Sequence, residues 1–123
     1  MEYRLVLPAP PSTNHLYQPA PRRNSKGAYY VGRELRPEVR SYRELVQMVV
    51  LTKGRPHIPE TGPLRLTLRL WVKRERDLDN AFKCLQDALA IALGFDDKRI
   101  VEQHGYKMID AENPRAQVAL AWD

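Results

Sequence analysis

Apolar and polar residues alternate most cleanly over residues 64–73. Leu64, Leu66, Leu68, Leu70 and Val72 fall on one side of an extended chain, and Arg65, Thr67, Arg69, Trp71 and Lys73 on the other. A period of two predicts a strand with one buried face. A shorter alternation runs through residues 3–7 and stops at Pro8. In two places the period lengthens to 3.6. Pro37 suits the first position of a helix, and from there Val39, Tyr42, Leu45, Val46, Val49 and Val50 form one face up to Gly54. Arg40, Arg43 and Gln47 form the other. Over residues 80–93, Asn80, Lys83, Gln86 and Asp87 gather in one polar arc, and Gly94 supplies a C-terminal cap. Residues 100–108 and 117–122 predict two more strands, joined by the turn Asp110-Ala111-Glu112-Asn113-Pro114. Tyr29-Tyr30-Val31 predicts a short strand closed by Gly32, and residues 18–27 read as an irregular basic loop. These elements predict one two-layer α/β (α+β) domain over residues 1–123, with a mixed sheet of four to five strands and two main helices.

Composition narrows the setting. A chain of 123 residues, 43% hydrophobic, can bury one real core. Its longest apolar run, residues 88–95, falls far short of the ~18 residues of a membrane span. The N-terminus alternates rather than forming a signal-peptide apolar region. Cys84 is alone, which excludes an internal disulfide and a cysteine zinc site. A cytoplasmic protein without membrane contact is expected. The charge, +5 overall, is unevenly placed: residues 1–76 hold 15 Lys/Arg and 6 Glu, residues 77–123 hold 5 Lys/Arg and 9 acids. All seven aspartates lie in the second part. A basic body beside late carboxylates fits a polyanion binder that also holds a cation, or an ordinary basic surface.

The densest chemistry is Lys73-Arg74-Glu75-Arg76-Asp77-Leu78-Asp79-Asn80, where strand gives way to helix. On an extended backbone Asp77 and Asp79 point to one side, and two converging carboxylates call for a cation between them. Mg²⁺ fits such oxygen donors, taking one or two carboxylates with water and phosphate oxygens. Equally, Asp79 or Asn80 suits a helix cap. Lys83, four residues after Asp79, reaches the same pocket or makes an ordinary ion pair. A second acidic pair, Asp96-Asp97, follows the helix. Residues 80–93 span ~20 Å, so Asp97 meets Asp77 only if the next strand returns toward the helix start or a partner subunit supplies the proximity. Arg40, Arg43, Lys73, Arg74 and Arg76 surround the acids as candidate phosphate contacts. The pattern describes metal-assisted phosphodiester hydrolysis, on DNA or RNA. His15, His57 and His104 lack metal-ligand spacing, and no glycine-rich phosphate loop exists.

Three motifs resemble the RusA family of Holliday junction resolvases. They are Pro10-Pro11-Ser12-Thr13-Asn14-His15-Leu16-Tyr17 after the first strand, Arg76-Asp77-Leu78-Asp79-Asn80 with Lys83 and Asp87-Ala88-Leu89, and Gly94-Phe95-Asp96-Asp97 before a strand. The resemblance implies a homodimer that binds four-way junction DNA and makes paired nicks with Mg²⁺ or Mn²⁺. It implies Asp77, Asp79 and Asp97 as metal-binding carboxylates, with Asp96 the alternative to Asp97, and Lys83 as a catalytic lysine. Asn14 and Tyr17 of the N-terminal motif join the basic residues as candidate DNA contacts. The competing expectation is a branched-DNA-binding module without catalysis, its acids only capping helices.

Overall fold

The computed structural model describes residues 1–12 and 16–123, so Asn14 lies outside the described residues. Six strands and two main helices follow in the order β1 (Glu2–Leu7), β2 (Tyr17–Arg23), β3 (Tyr29–Leu35), α1 (Pro37–Lys53), β4 (Leu64–Val72), α2 (Leu78–Leu93), β5 (Ile100–Ile109) and β6 (Arg115–Ala121). A short 3₁₀ turn, Asp97–Arg99, precedes β5. The main sheet has the order β1-β6-β4-β5, mixed because β4 and β5 are parallel and the other pairs antiparallel. β2 and β3 form a separate two-stranded sheet. The whole is one small α+β domain with a mixed sheet, in keeping with the expected class.

β4 is the hub because its leucines leave it no other place. Leu64, Leu66, Leu68, Leu70 and Val72 are all 1% exposed or less, and β5 and β6 flank the strand on either side. Tyr3, Leu5 and Leu7 of β1 join Ala116, Val118 and Leu120 of β6 in the same core. Both helices bury their apolar stripes here, α1 with Val39, Tyr42, Val46 and Val50, α2 with Ala81, Cys84, Leu85, Ala88, Leu89 and Ala92. Burial pushes the Cys84 thiol up to about 11, so this cysteine is a packed core group rather than a nucleophile. Gly105 of β5 admits the first turn of α2, because a Cβ there would stand 3.2 Å from both Leu78 and Phe82. No helix of the described residues is long and apolar enough to cross a membrane.

Two expectations need correction. Residues 18–27 are not an irregular loop. They contribute most of β2 and the turn of a hairpin, and β3 runs on through Gly32 to Leu35. Pro19 and Pro21 disguise the strand, but they share one parity, and alternate residues of an edge strand need no donor toward the partner. The last two strands are joined by the expected turn, and the chain leaves β5 on one side of β4 and enters β6 on the other. α2 also starts at Leu78, two residues before the apolar period indicates, with Asp77 as its cap.

Candidate active site

The parallel pair β4 and β5 with α2 between them is a βαβ unit. Its first strand ends where the helix N-terminus begins, so the Lys73–Arg76 connection meets a helix end whose first N–H groups take their acceptors from outside the helix. A groove of about 770 Å³ opens there, lined by Pro10, Pro11, Lys73, Arg74, Asp77 and Asn80 among others. Asp77 accepts a hydrogen bond from the backbone N–H of Asp79 at 2.9 Å, and its second oxygen lies 3.5 Å from the Asn80 amide nitrogen. It is therefore the cap that was expected of Asp79 or Asn80, and its carboxylate favours the positive end of the helix.

Because the helix begins at Leu78, Asp79 is not on extended backbone, and the two carboxylates do not leave the chain on one side. Asp79 lines an adjoining groove with Lys83, Gln86 and Gln103, over Gly105. Both aspartates are exposed. Lys83 points its ammonium at Asp87, 3.9 Å away, and Asp87 also lies 4.0 Å from Arg43. Lys83 and Asp87 thus form the ordinary i,i+4 pair while Lys83 still borders the groove of Asp79.

Asp97 stands elsewhere. β4 and β5 pair in parallel from Leu64 opposite Ile100 to Val72 opposite Ile109. Asp97 precedes the first of these pairs and Asp77 follows the last, so a strand of nine residues, roughly 30 Å of extended chain, separates them. β5 does return toward the helix start, but it leaves Asp97 behind. Asp96 is spent on local geometry, accepting from the Lys98 N–H at 2.9 Å. Among the described residues no three of His, Cys, Asp or Glu gather to hold a metal. Asp77 and Asp79, exposed hard oxygen donors at the start of α2, are each of the chemistry that Mg²⁺ takes together with water and phosphate oxygens, although they line separate grooves.

The basic residues divide into two groups. Lys73 and Arg74 are exposed at the groove. Arg40 is exposed on α1 and donates to the Leu35 carbonyl at 3.4 Å, and Tyr17 carries the Arg33 guanidinium over its ring. Arg76 turns inward, donating to the carbonyls of Pro10 and Pro11, the latter at 2.7 Å. Burial lowers its pKa. This residue ties the Pro-Pro segment to the helix entrance. Arg76→Ala is expected to cost about 1–3 kcal/mol in urea unfolding, by leaving those carbonyls without a partner. Arg76→Lys recovers only part of that, since an ammonium lacks the two-pronged geometry. Unchanged stability of Arg76→Ala with weakened binding of a polyanion would return Arg76 to the candidate phosphate contacts.

One basic neighbour has no signal in the sequence pattern. Lys107 of β5 pairs with Glu75 and donates to the Arg76 carbonyl at 2.8 Å, fixing the connection between β4 and α2. The same ammonium lowers the Glu75 pKa. A single lysine in a strand predicts nothing by itself, and only the parallel register of β5 brings it here.

No curated protein matched this sequence. The family model described as Endodeoxyribonuclease RusA matches residues 8–121. That span takes in the Pro-Pro segment, the groove and the carboxylate-bearing first turn of α2, and the chain belongs to the RusA endodeoxyribonuclease family.

Proposed function

We propose that the protein resolves four-way DNA junctions as a homodimer, by paired metal-dependent nicks. The observation that carries the reading is the pair of exposed carboxylates at the start of α2, Asp77 as its cap and Asp79 in its first turn, beside the exposed cations Lys73 and Arg74, in a chain of an endodeoxyribonuclease family. Bare carboxylates repel a phosphodiester, so a divalent ion is what reconciles them with a polyanionic substrate. Asp77 and Asp79 are the residues that would hold it. When bound, Mg²⁺ or Mn²⁺ supplies Lewis-acid polarisation of the phosphate and a water of lowered pKa. Lys73 and Arg74 draw the backbone phosphates in, and Lys83, steadied by Asp87 at 3.9 Å, offers its charge to the same strand.

Topology supports the dimer. β5 is an open edge of the main sheet, and Val101, Tyr106, Met108 and Ile109 are exposed along it. Such an edge pairs readily with another strand. A two-fold axis through its middle runs the two copies of β5 antiparallel, so the start of one strand lies beside the end of the other. Asp97 of the partner subunit then approaches the end where Asp77 and Asp79 stand, which a single chain does not allow.

The test is cleavage of a synthetic four-way junction, each strand 5′-labelled in turn, with Mg²⁺ or with EDTA. Symmetric nicks in opposite strands with Mg²⁺, and none with EDTA, are expected. Salt-sensitive binding without nicks in Mg²⁺ or Mn²⁺ would leave a non-catalytic branched-DNA module. Equal cleavage of RNA duplexes would move the substrate class to RNA.

A further inference from the structure

The β2–β3 hairpin has two unlike faces. The register puts Gln18, Ala20, Arg22, Tyr30, Gly32 and Glu34 on one. That face is largely satisfied within itself, since Gln18 donates to Glu34 at 2.9 Å and Arg22 lies 4.0 Å from Glu34. Arg22 also lays its stem over Gly32, where a Cβ would stand 2.5 Å from its Cγ. The other face carries Tyr17, Pro19, Pro21 and Arg23 opposite Leu35, Arg33, Val31 and Tyr29. It has no acidic residue. Tyr29 is 70% exposed and Val31 79%, which is unusual for an apolar pair on one strand. The Arg23 guanidinium sits 4.3 Å from the Tyr29 ring centroid, and Arg33 sits 4.8 Å from that of Tyr17.

The two strands pack on each other and on little else. Among the described residues the arm is tied down at its base, by Leu16 and Leu35 against the core and by the Arg36 N–H donating to the Leu16 carbonyl at 2.9 Å. Seven residues per strand give an arm of roughly 23 Å. A two-stranded ribbon is marginal alone in water and gains from a bound surface.

We propose that this arm grips branched DNA through its Tyr-Arg face, with Tyr29 and Tyr17 stacking on bases exposed at the branch point and Arg23 and Arg33 meeting the adjacent phosphates. The proposal rests on the reading of the chain as a junction nuclease. Charge selects the occupant: residues 17–35 hold Arg22, Arg23, Lys26 and Arg33 against Glu34 alone. Arginine and tyrosine together suit a phosphate backbone with accessible base faces. A second copy docked on this face would set arginine against arginine. An intact duplex hides its base faces, whereas a branch point offers them.

Binding by fluorescence anisotropy, on a four-way junction and on a linear duplex of the same arms, tests this. Tyr29→Ala is expected to weaken junction binding roughly tenfold, the scale of losing one base–aromatic stack, with duplex binding nearly unchanged. Tyr29→Phe keeps the ring and is expected to keep junction affinity. Arg23→Ala and Arg33→Ala each weaken both substrates and reduce the salt slope by about one. Thermal unfolding confirms that the exposed substitutions leave the fold intact. Unchanged junction affinity of Tyr29→Ala, in a protein whose wild type nicks junctions, overturns the arm alone. Equal loss on both DNAs overturns base stacking. A wild type that binds no junction overturns the arm and the functional reading together.

Discussion

Asp77→Asn is expected to fold as stably as the wild type and to nick junction DNA at least about 100-fold more slowly, the scale of losing one preorganised charged group. The two halves of that expectation come from the two uses of one side chain. As a cap, Asp77 needs only an oxygen that accepts from the Asp79 N–H, and asparagine caps about as well as aspartate. As a cation ligand it needs its charge, which asparagine lacks. Asp77→Ala removes both and adds about 1 kcal/mol of destabilisation. Junction affinity of Asp77→Asn is expected to equal or exceed the wild type, since one negative charge has left the path of the phosphates. Urea unfolding, anisotropy and strand cleavage on one preparation measure all three. Full nicking by Asp77→Asn would show that Asp77 is a cap and nothing more.

The fold was legible where a single physical demand dominates. Residues 64–72 must hide five apolar side chains on one face, and a strand laid over the core does so. Helix α1 was legible from Pro37 to Gly54 for the same reason, with its start and stop written in residue chemistry. What stayed hidden depends on pairing. Pro19 and Pro21 argue against a strand unless the partner's register is known. The order β6-β4-β5 arises because α2 carries the chain across to a parallel β5 on one side of β4 while β6 pairs on the other, and a turn of five residues between β5 and β6 gives no hint of it. In the site, the nearness of Asp77 and Asp79 was legible, but their directions were not. Those depend on where the helix starts, and the cap at Asp77 starts it two residues before the hydrophobic period does. The distance from Asp77 to Asp97 was a question the sequence framed and the parallel register answered, for a single chain.

That answer makes a second large effect testable. Asp79→Asn and Asp97→Asn are each expected to be inactive alone and to regain nicking when mixed. If every active site takes Asp79 from one subunit and Asp97 from the other, a mixed dimer contains one site with both residues replaced and one with both intact. Random pairing of equal amounts makes half of the dimers mixed, so roughly a quarter of wild-type sites return. Those sites are single, so the product is a junction nicked in one strand rather than resolved by two opposed nicks. Co-expression with two affinity tags isolates the mixed dimer, and a denaturing gel counts the nicks per junction. If Asp97 acts on its own chain, both sites of the mixed dimer carry one defect and no activity returns. If Asp97→Asn cleaves normally by itself, Asp97 has no part in the chemistry and the carboxylates of α2 act without it. Each result is distinct, because the separation of Asp97 from Asp77 along β4 leaves no intermediate geometry within one chain.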